Sequence, residues 1–135
     1  MYHLSFFRRL REKSHMFAHK KLDAWKDSMI LVENVYLITS CFPNSELFGL
    51  SSQIRRSAVS IPANISEGAA RNKPKEFIRF LRISFGSLSE LETHLEISYR
   101  LRFIDESTFV SLQNKITKIS SQLSGLIRSI EKKII

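Results

Sequence analysis

Four runs of apolar residues at spacings of three and four, parted by three short breaks, constrain this chain more than any other feature. Such spacing returns to one face of a helix each turn and marks a segment that must bury one side. The first stripe is Leu22, Trp25, Met29, Val32 and Tyr36, and the second is Leu47, Leu50, Ile54, Ala58, Ile61 and Ile65. Phe77, Leu81, Ser84, Leu88, Leu91 and Leu95 make the third, and Phe109, Leu112, Ile116, Ile119, Leu123, Leu126 and Ile130 the fourth. Each approaches a heptad repeat.

The breaks carry turn and cap chemistry. In "CFPNSE", Pro43 and Asn44 stop the first helix and make a turn. In "EGAARNKPKE", Gly68 is available to relax the second helix, Asn72 or Lys73 to start the third, and Pro74 fits a first turn where its missing N–H does no harm. "FIDES" offers Asp105 as N-cap of the fourth helix. Short connections force neighbouring helices antiparallel, which predicts an all-α, up-down-up-down four-helix bundle. At 135 residues with 4 glycines and 3 prolines, the chain suits one helical domain spanning residues 17–135. Off the stripes lie Phe48, Val59, Phe80, Ile83 and Phe85, which either widen the core face or meet a second subunit.

The formal net charge of +8 attracts polyanions, although charge also serves solubility. Residues 1–16 form a basic extension that either grips an anionic surface or precedes an alternative start at Met16. Its first 15 residues hold four basic side chains and one acidic one, so their removal lowers the charge by three to +5. No apolar run approaches the about 20 residues of a spanning helix, so no membrane role is expected. Cys41 is the only cysteine, so no intramolecular disulfide can form, and a cytoplasmic setting is expected.

The second helix repays closer reading. Arg56, Ser60, Asn64, Glu67 and Arg71 fall on one polar strip beside its apolar stripe. Pro62 removes one backbone donor and crowds the Ala58 carbonyl, predicting a kink, with Ser57 and Ser60 placed to satisfy that carbonyl. A mid-helix proline costs about 3 kcal/mol, which is more easily kept where a bend is useful.

Motifs for chemistry are missing, and no enzyme is expected. Di-iron bundles need paired Glu-x-x-His motifs, whereas Glu90 and His94 are four apart and read as a surface pair. His3, His15 and His19 lack the spacing of a zinc site, "SEGAAR" is no phosphate loop, and Cys41 reads as an inert thiol. No metal or cofactor is implied.

The segments "KLDAWKDSMILVENVYLITSCFP", "GLSSQIRRSAVSIPANISEGAAR" and "KEFIRFLRISFGSLSELETHLEIS" resemble the bacterial four-helix-bundle proteins encoded by intervening sequences of 23S ribosomal RNA genes. The resemblance runs from about Lys20, with the last helix matching by pattern alone. Gln53, Arg55, Arg56, Ser60, Pro62, Asn64, Glu67, Gly68 and Arg71 carry its most specific part. Phe77, Phe80, Leu81, Gly86, Ser87, Glu90 and Leu91 continue it. The resemblance implies a homopentamer with a basic surface, and a kinship with accessory proteins of diversity-generating retroelements, which dock a reverse transcriptase. On that footing Gln53, Arg55, Arg56, Ser60, Asn64 and Glu67 are expected at a subunit interface, where the planar fork of arginine makes paired hydrogen bonds.

A nucleic-acid site is expected where cations gather: Arg71, Lys73 and Lys75 around the second break, then Arg79 and Arg82 on the following turns. Lys20, Lys21 and Lys26 add to it if the first helix starts at the same end. The phenylalanines fall mainly on stripes or their flanks, so they read as core rather than base-stacking platforms. The expected function is a non-enzymatic oligomeric bundle contacting RNA or DNA. The alternatives are a scaffold docking a protein such as a reverse transcriptase and, less favoured, a small-molecule binder.

Overall fold

The computed structural model describes residues 18–134, and the N-terminal extension lies outside them. Four helices make up the fold: α1 (Asp23–Thr39), α2 (Leu50–Ala70), α3 (Pro74–Arg100) and α4 (Glu106–Ile134), with tight turns at Ala18–Lys21 and Asn44–Glu46. Among the described residues there is no strand.

The helix ends follow local chemistry. Glu46 reaches forward from its turn so that its Oε2 accepts from the Leu50 N–H at 3.1 Å, satisfying an orphan donor of α2. Asn72, at φ 56°, turns the chain after α2, and Pro74 opens α3. At the end of α3, Arg102 takes φ 65°, a conformation usually left to glycine. There the Phe103 N–H donates to Ser98 O at 2.8 Å and the Arg102 N–H to Tyr99 O at 3.0 Å, closing the last turn. Asp105 caps α4 as expected, its Oδ1 accepting from the Thr108 N–H at 2.8 Å.

The helices form a ring in which α1 packs on α2, α2 on α3, α3 on α4 and α4 on α1. Contacts fix the directions. Gly68 lies against Phe77 and Phe80, while Ser60 meets Ser87 at 2.8 Å, so α2 and α3 run oppositely. Glu92 meets Gln113 at 3.4 Å and Arg82 meets Glu131 at 3.2 Å, so α3 and α4 do too. Stripes two to four face the core as read, with Leu50, Phe77 and Leu126 half-buried against it and Leu47 exposed; beside Leu126, Ile127 is buried.

The first stripe is out of register. Met29 and Tyr36 are exposed, and the buried seam of α1 is Ala24, Ser28, Leu31, Val35 and Thr39. A purely apolar count overlooks Ser28 and Thr39, whose hydroxyls bond back to the helix at Trp25 O (2.9 Å) and Val35 O (2.6 Å) and so bury without an unmet partner.

Two expectations about α2 also change. Ser57 Oγ bonds to Gln53 O and Ile54 O, and Ser60 Oγ to Ser87, so neither serves the Ala58 carbonyl freed by Pro62. Beside the proline a hydroxyl instead crosses from α3, where buried Ser84 donates to Ile61 O at 2.9 Å. Gly68 does not relax the helix; it lies within α2 and is buried. A β-carbon there would stand 2.7 Å from Phe80 Cβ, 3.1 Å from Phe77 Cδ1 and 3.3 Å from Phe77 O. Its role is to let α3 approach.

Gly68→Ala is therefore expected to destabilise by about 1–2 kcal/mol in urea denaturation, overpacking outweighing the gain in helix propensity. Gly86→Ala, with open space around the new carbon, should stabilise by about 0.5–1 kcal/mol. Equal signs would mean that close approach is not what α2 needs from Gly68. The bonds from Thr108 hold the Asp105 carboxyl below its usual range. A lowered folded value adds stability above the unfolded value, lost as pH falls through the folded one. The melting-temperature advantage of wild type over Asp105→Asn, present at pH 7, is thus expected to close as pH falls through the lowered folded value, below the ordinary aspartate range.

Candidate nucleic-acid interface at one end of the bundle

The antiparallel register gathers charge from distant parts of the sequence. Ile134, at the end of α4, lines a depression of about 740 Å³ with Arg71, Lys73, Pro74, Lys75 and Glu76, so the α2–α3 turn and the α4 terminus share one end. The turn bearing Lys20 and Lys21 packs on α2. Arg55, early in α2, bonds Thr39 at the close of α1, so α1 runs back along α2 and begins level with the end of α2. Lys20, Lys21 and Lys26 therefore lie towards the same end as Arg71, which resolves where the first helix starts. Lys132 and Lys133, in the last turn of α4, join them without having been singled out from the sequence. They could have been found by asking which termini an up-down bundle brings together.

All five expected phosphate-binding cations of α2 and α3 are exposed, but they differ in what they touch. Arg71 Nη2 pairs with Glu67 Oε1 at 3.0 Å, Arg79 Nη2 with Glu76 Oε2 at 3.1 Å, and Arg82 Nη2 with Glu131 Oε1 at 3.2 Å. Lys73 and Lys75 have no ion pair among the described residues. Exposed pairs of this kind contribute about 0–1 kcal/mol and are screened by salt, so they orient the arginines without removing them from competition for an anion. Arg71 and Arg79 also lie over the Phe80 ring, at 5.3 and 4.6 Å from its centroid. Phe80, read from sequence as a flank of its stripe, is buried.

The residues expected at a subunit interface divide into two groups. Asn64 Nδ2 donates to Ser60 O at 2.8 Å and to Ser60 Oγ at 2.9 Å, and Ser60 bonds Ser87, so this part of the strip ties α2 to α3 within one chain. Glu67 holds Arg71. Arg55 is committed to α1: its Nε donates to Thr39 Oγ1 at 2.8 Å and its guanidinium lies 4.6 Å from the Tyr36 ring centroid. Gln53 and Arg56 stay exposed and make no side-chain bond among the described residues.

His94 is a correction. It is buried rather than on the surface, its Nδ1 has no hydrogen-bond partner among the described residues, and its Nε2 stands 3.9 Å from Glu90 Oε1, too far for a hydrogen bond. The position four residues before Ser98 and three after Leu91 places it on the seam of α3. Among the described residues no group of three or more His, Cys, Asp or Glu could hold a metal ion, and no helix is long and apolar enough to cross a membrane. Cys41 is exposed in the turn after α1.

The model of the 23S rRNA-intervening sequence protein family matches residues 20–125. The chain belongs to this family. A solved structure from Bacteroides thetaiotaomicron, a protein with unknown function from the S23 ribosomal protein family, is similar at 28% identity with a TM-score of 0.72. The match covers 77% of this chain and 97% of that one. No curated protein matches the chain.

Arg55→Ala is expected to cost about 1–2 kcal/mol of stability in urea denaturation, through the lost bond to buried Thr39 and the lost ring contact. Arg56→Ala should stay within about 0.5 kcal/mol of wild type. Equal stability of the two variants would return Arg55 to a role outside its own chain.

Proposed function

We propose that this family member is a non-enzymatic cytoplasmic bundle that associates with copies of itself and contacts RNA or DNA through its basic end. The observation that carries the reading is the depression of about 740 Å³ whose rim holds Arg71, Lys73 and Lys75, with both lysines outside any ion pair among the described residues. Its open, cationic character suits a phosphate backbone, whose binding is electrostatic and tolerant of sequence. The pentamer implied by family resemblance would repeat this end and multiply modest contacts. Exposed Met29, Ile30 and Leu37 on α1, with Ile83 and Ile97 on α3, supply apolar surface for such an assembly.

A second reading, docking of a protein partner, is favoured by the opposite end, where Leu47, Phe48 and Leu101 are exposed. Phe48 is 94% exposed, more than any other large apolar residue described.

The test is fluorescence anisotropy with a labelled ribosomal RNA fragment and DNA of equal length. Three phosphate contacts account for about a 40-fold loss of affinity between about 50 and 200 mM salt. Replacing Arg71, Lys73 and Lys75 together by Glu is expected to abolish binding while the mass in light scattering stays that of wild type. Unchanged affinity would remove this end from the account and turn attention to the protein-docking reading.

A further inference from the structure

Phe80 is shared by two guanidinium groups from different helices. Arg79 Cζ lies 4.6 Å from its ring centroid and Arg71 Cζ 5.3 Å, so the two cannot be further apart than those distances laid end to end. That limit spans about three nucleotide steps of a strand, at ~3.4 Å of axial rise each. Each guanidinium meets its carboxylate through Nη2 alone, Arg71 with Glu67 at 3.0 Å and Arg79 with Glu76 at 3.1 Å. The Nε and Nη1 donors of both forks are left without a hydrogen-bond partner among the described residues. Arginine offers five donors in a rigid plane, so a fork held on one side by a carboxylate and beneath by a ring still presents an edge to a phosphate.

The footing is itself fixed. Phe80 is buried to 6% exposure, seated where a β-carbon at position 68 would fall 2.7 Å from its own Cβ. A β-carbon at 68 would push Phe80, and with it Arg79, away from the end of α2 where Arg71 is rooted, and so part the pair. Lys73 in the turn and Lys75 in the first turn of α3 lie between the two arginines in sequence and add charge that makes no ion pair among the described residues.

We propose that Arg71 and Arg79 form a phosphate clamp set on Phe80, which takes neighbouring phosphates of one nucleic-acid strand. Phe80 and Gly68 are positioning residues and touch no ligand. The clamp rests on the reading of the basic end as a nucleic-acid contact and adds to it a requirement for geometry as well as charge. Two lysines at positions 71 and 79 would keep the charge but lose the fork and the preference for lying flat on a ring.

The experiment uses the full chain and two labelled probes, a 20-nucleotide polyuridine RNA and its DNA equivalent, in anisotropy titrations across salt. Compared with wild type are R71K/R79K, F80L and K73Q/K75Q, each checked by thermal melting. K73Q/K75Q is expected to lower the salt slope by about 1.4, the share of two single-strand phosphate contacts. R71K/R79K is expected to bind about tenfold more weakly at unchanged slope, since charge is kept and arrangement lost. F80L should show the same loss with both arginines intact. Should F80L melt below the working temperature, the surface pair R71K/R79K decides alone. Wild-type affinity in R71K/R79K, with K73Q/K75Q weakened, overturns the clamp and leaves the basic end as a diffuse contact. No binding by wild type to either probe overturns both. Equal loss on RNA and DNA places the clamp on phosphates alone, whereas loss confined to one polymer overturns a phosphate-only clamp.

Discussion

The close approach of α2 and α3 is the contact on which the rest of the molecule depends, because it sets both the core and the charged end. Gly68 lets Phe80 Cβ and the Phe77 ring lie against α2, and two turns away Ser84 donates across the same seam to Ile61 O at 2.9 Å. Just beyond it the hydroxyls of Ser60 and Ser87 meet at 2.8 Å, with the Asn64 amide closing the group. Small and hydroxylated residues therefore do what large apolar ones cannot. They bring two backbones near and satisfy the polar atoms that this buries. The cost of Pro62, about 3 kcal/mol in an exposed helix, is met in a setting where the proline itself is buried.

From that seam the surface follows. Arg71 leaves the end of α2 and Arg79 the second turn of α3, and both come to Phe80 because the helices are close there. The carboxylates beside them are exposed, so the ion pairs add little stability. Their larger effect is on shape: a guanidinium bound on one edge and resting on a ring has fewer conformations to lose when an anion arrives. The bundle is held by its apolar ring of four helices, so its stability does not depend on the charges of this end.

The fold was largely legible because three stripes carry bulky aliphatic residues at helical spacing, and because Pro74 and Asp105 announce helix starts that the structure bears out. What escaped has physical causes. In α1 the seam sets Leu31 and Val35 among Ala24, Ser28 and Thr39, whose small or self-satisfied side chains give little apolar signal, so exposed Met29 and Tyr36 pull the stripe off the seam while Leu22, Trp25 and Val32 pack at its edge. The Arg102 turn escaped because a residue with a β-carbon rarely takes φ 65°. Gly68 was seen but misread, since a helical glycine signals close packing only once the neighbour that approaches it is known. His94 was taken for surface because a histidine beside a glutamate is usually solvated, yet its place on the seam of α3 buries it. The basic residues of the candidate site were legible as a cluster around the α2–α3 turn; their gathering with Lys132, Lys133 and the start of α1 was not, being a product of topology.

Aromatic placement argues for the kind of recognition the basic end can offer. Tyr99 stacks on Phe109 at 4.9 Å, Phe42 meets Phe103 at 5.3 Å, and Phe80 lies beneath two guanidinium groups. Each of these rings is engaged within the chain, and exposed Phe48 belongs to the α1–α2 connection at the far end. Among the described residues, a contact at the basic end thus has phosphate-directed donors and no exposed aromatic face on which bases could stack, and base stacking is what gives single-strand binders much of their affinity per nucleotide. With that contribution missing, affinity at a single end must rest on a few phosphates and fall steeply with salt. Repetition of the end in an assembly is then the physical route to useful affinity, which makes self-association and nucleic-acid contact parts of one proposal rather than two.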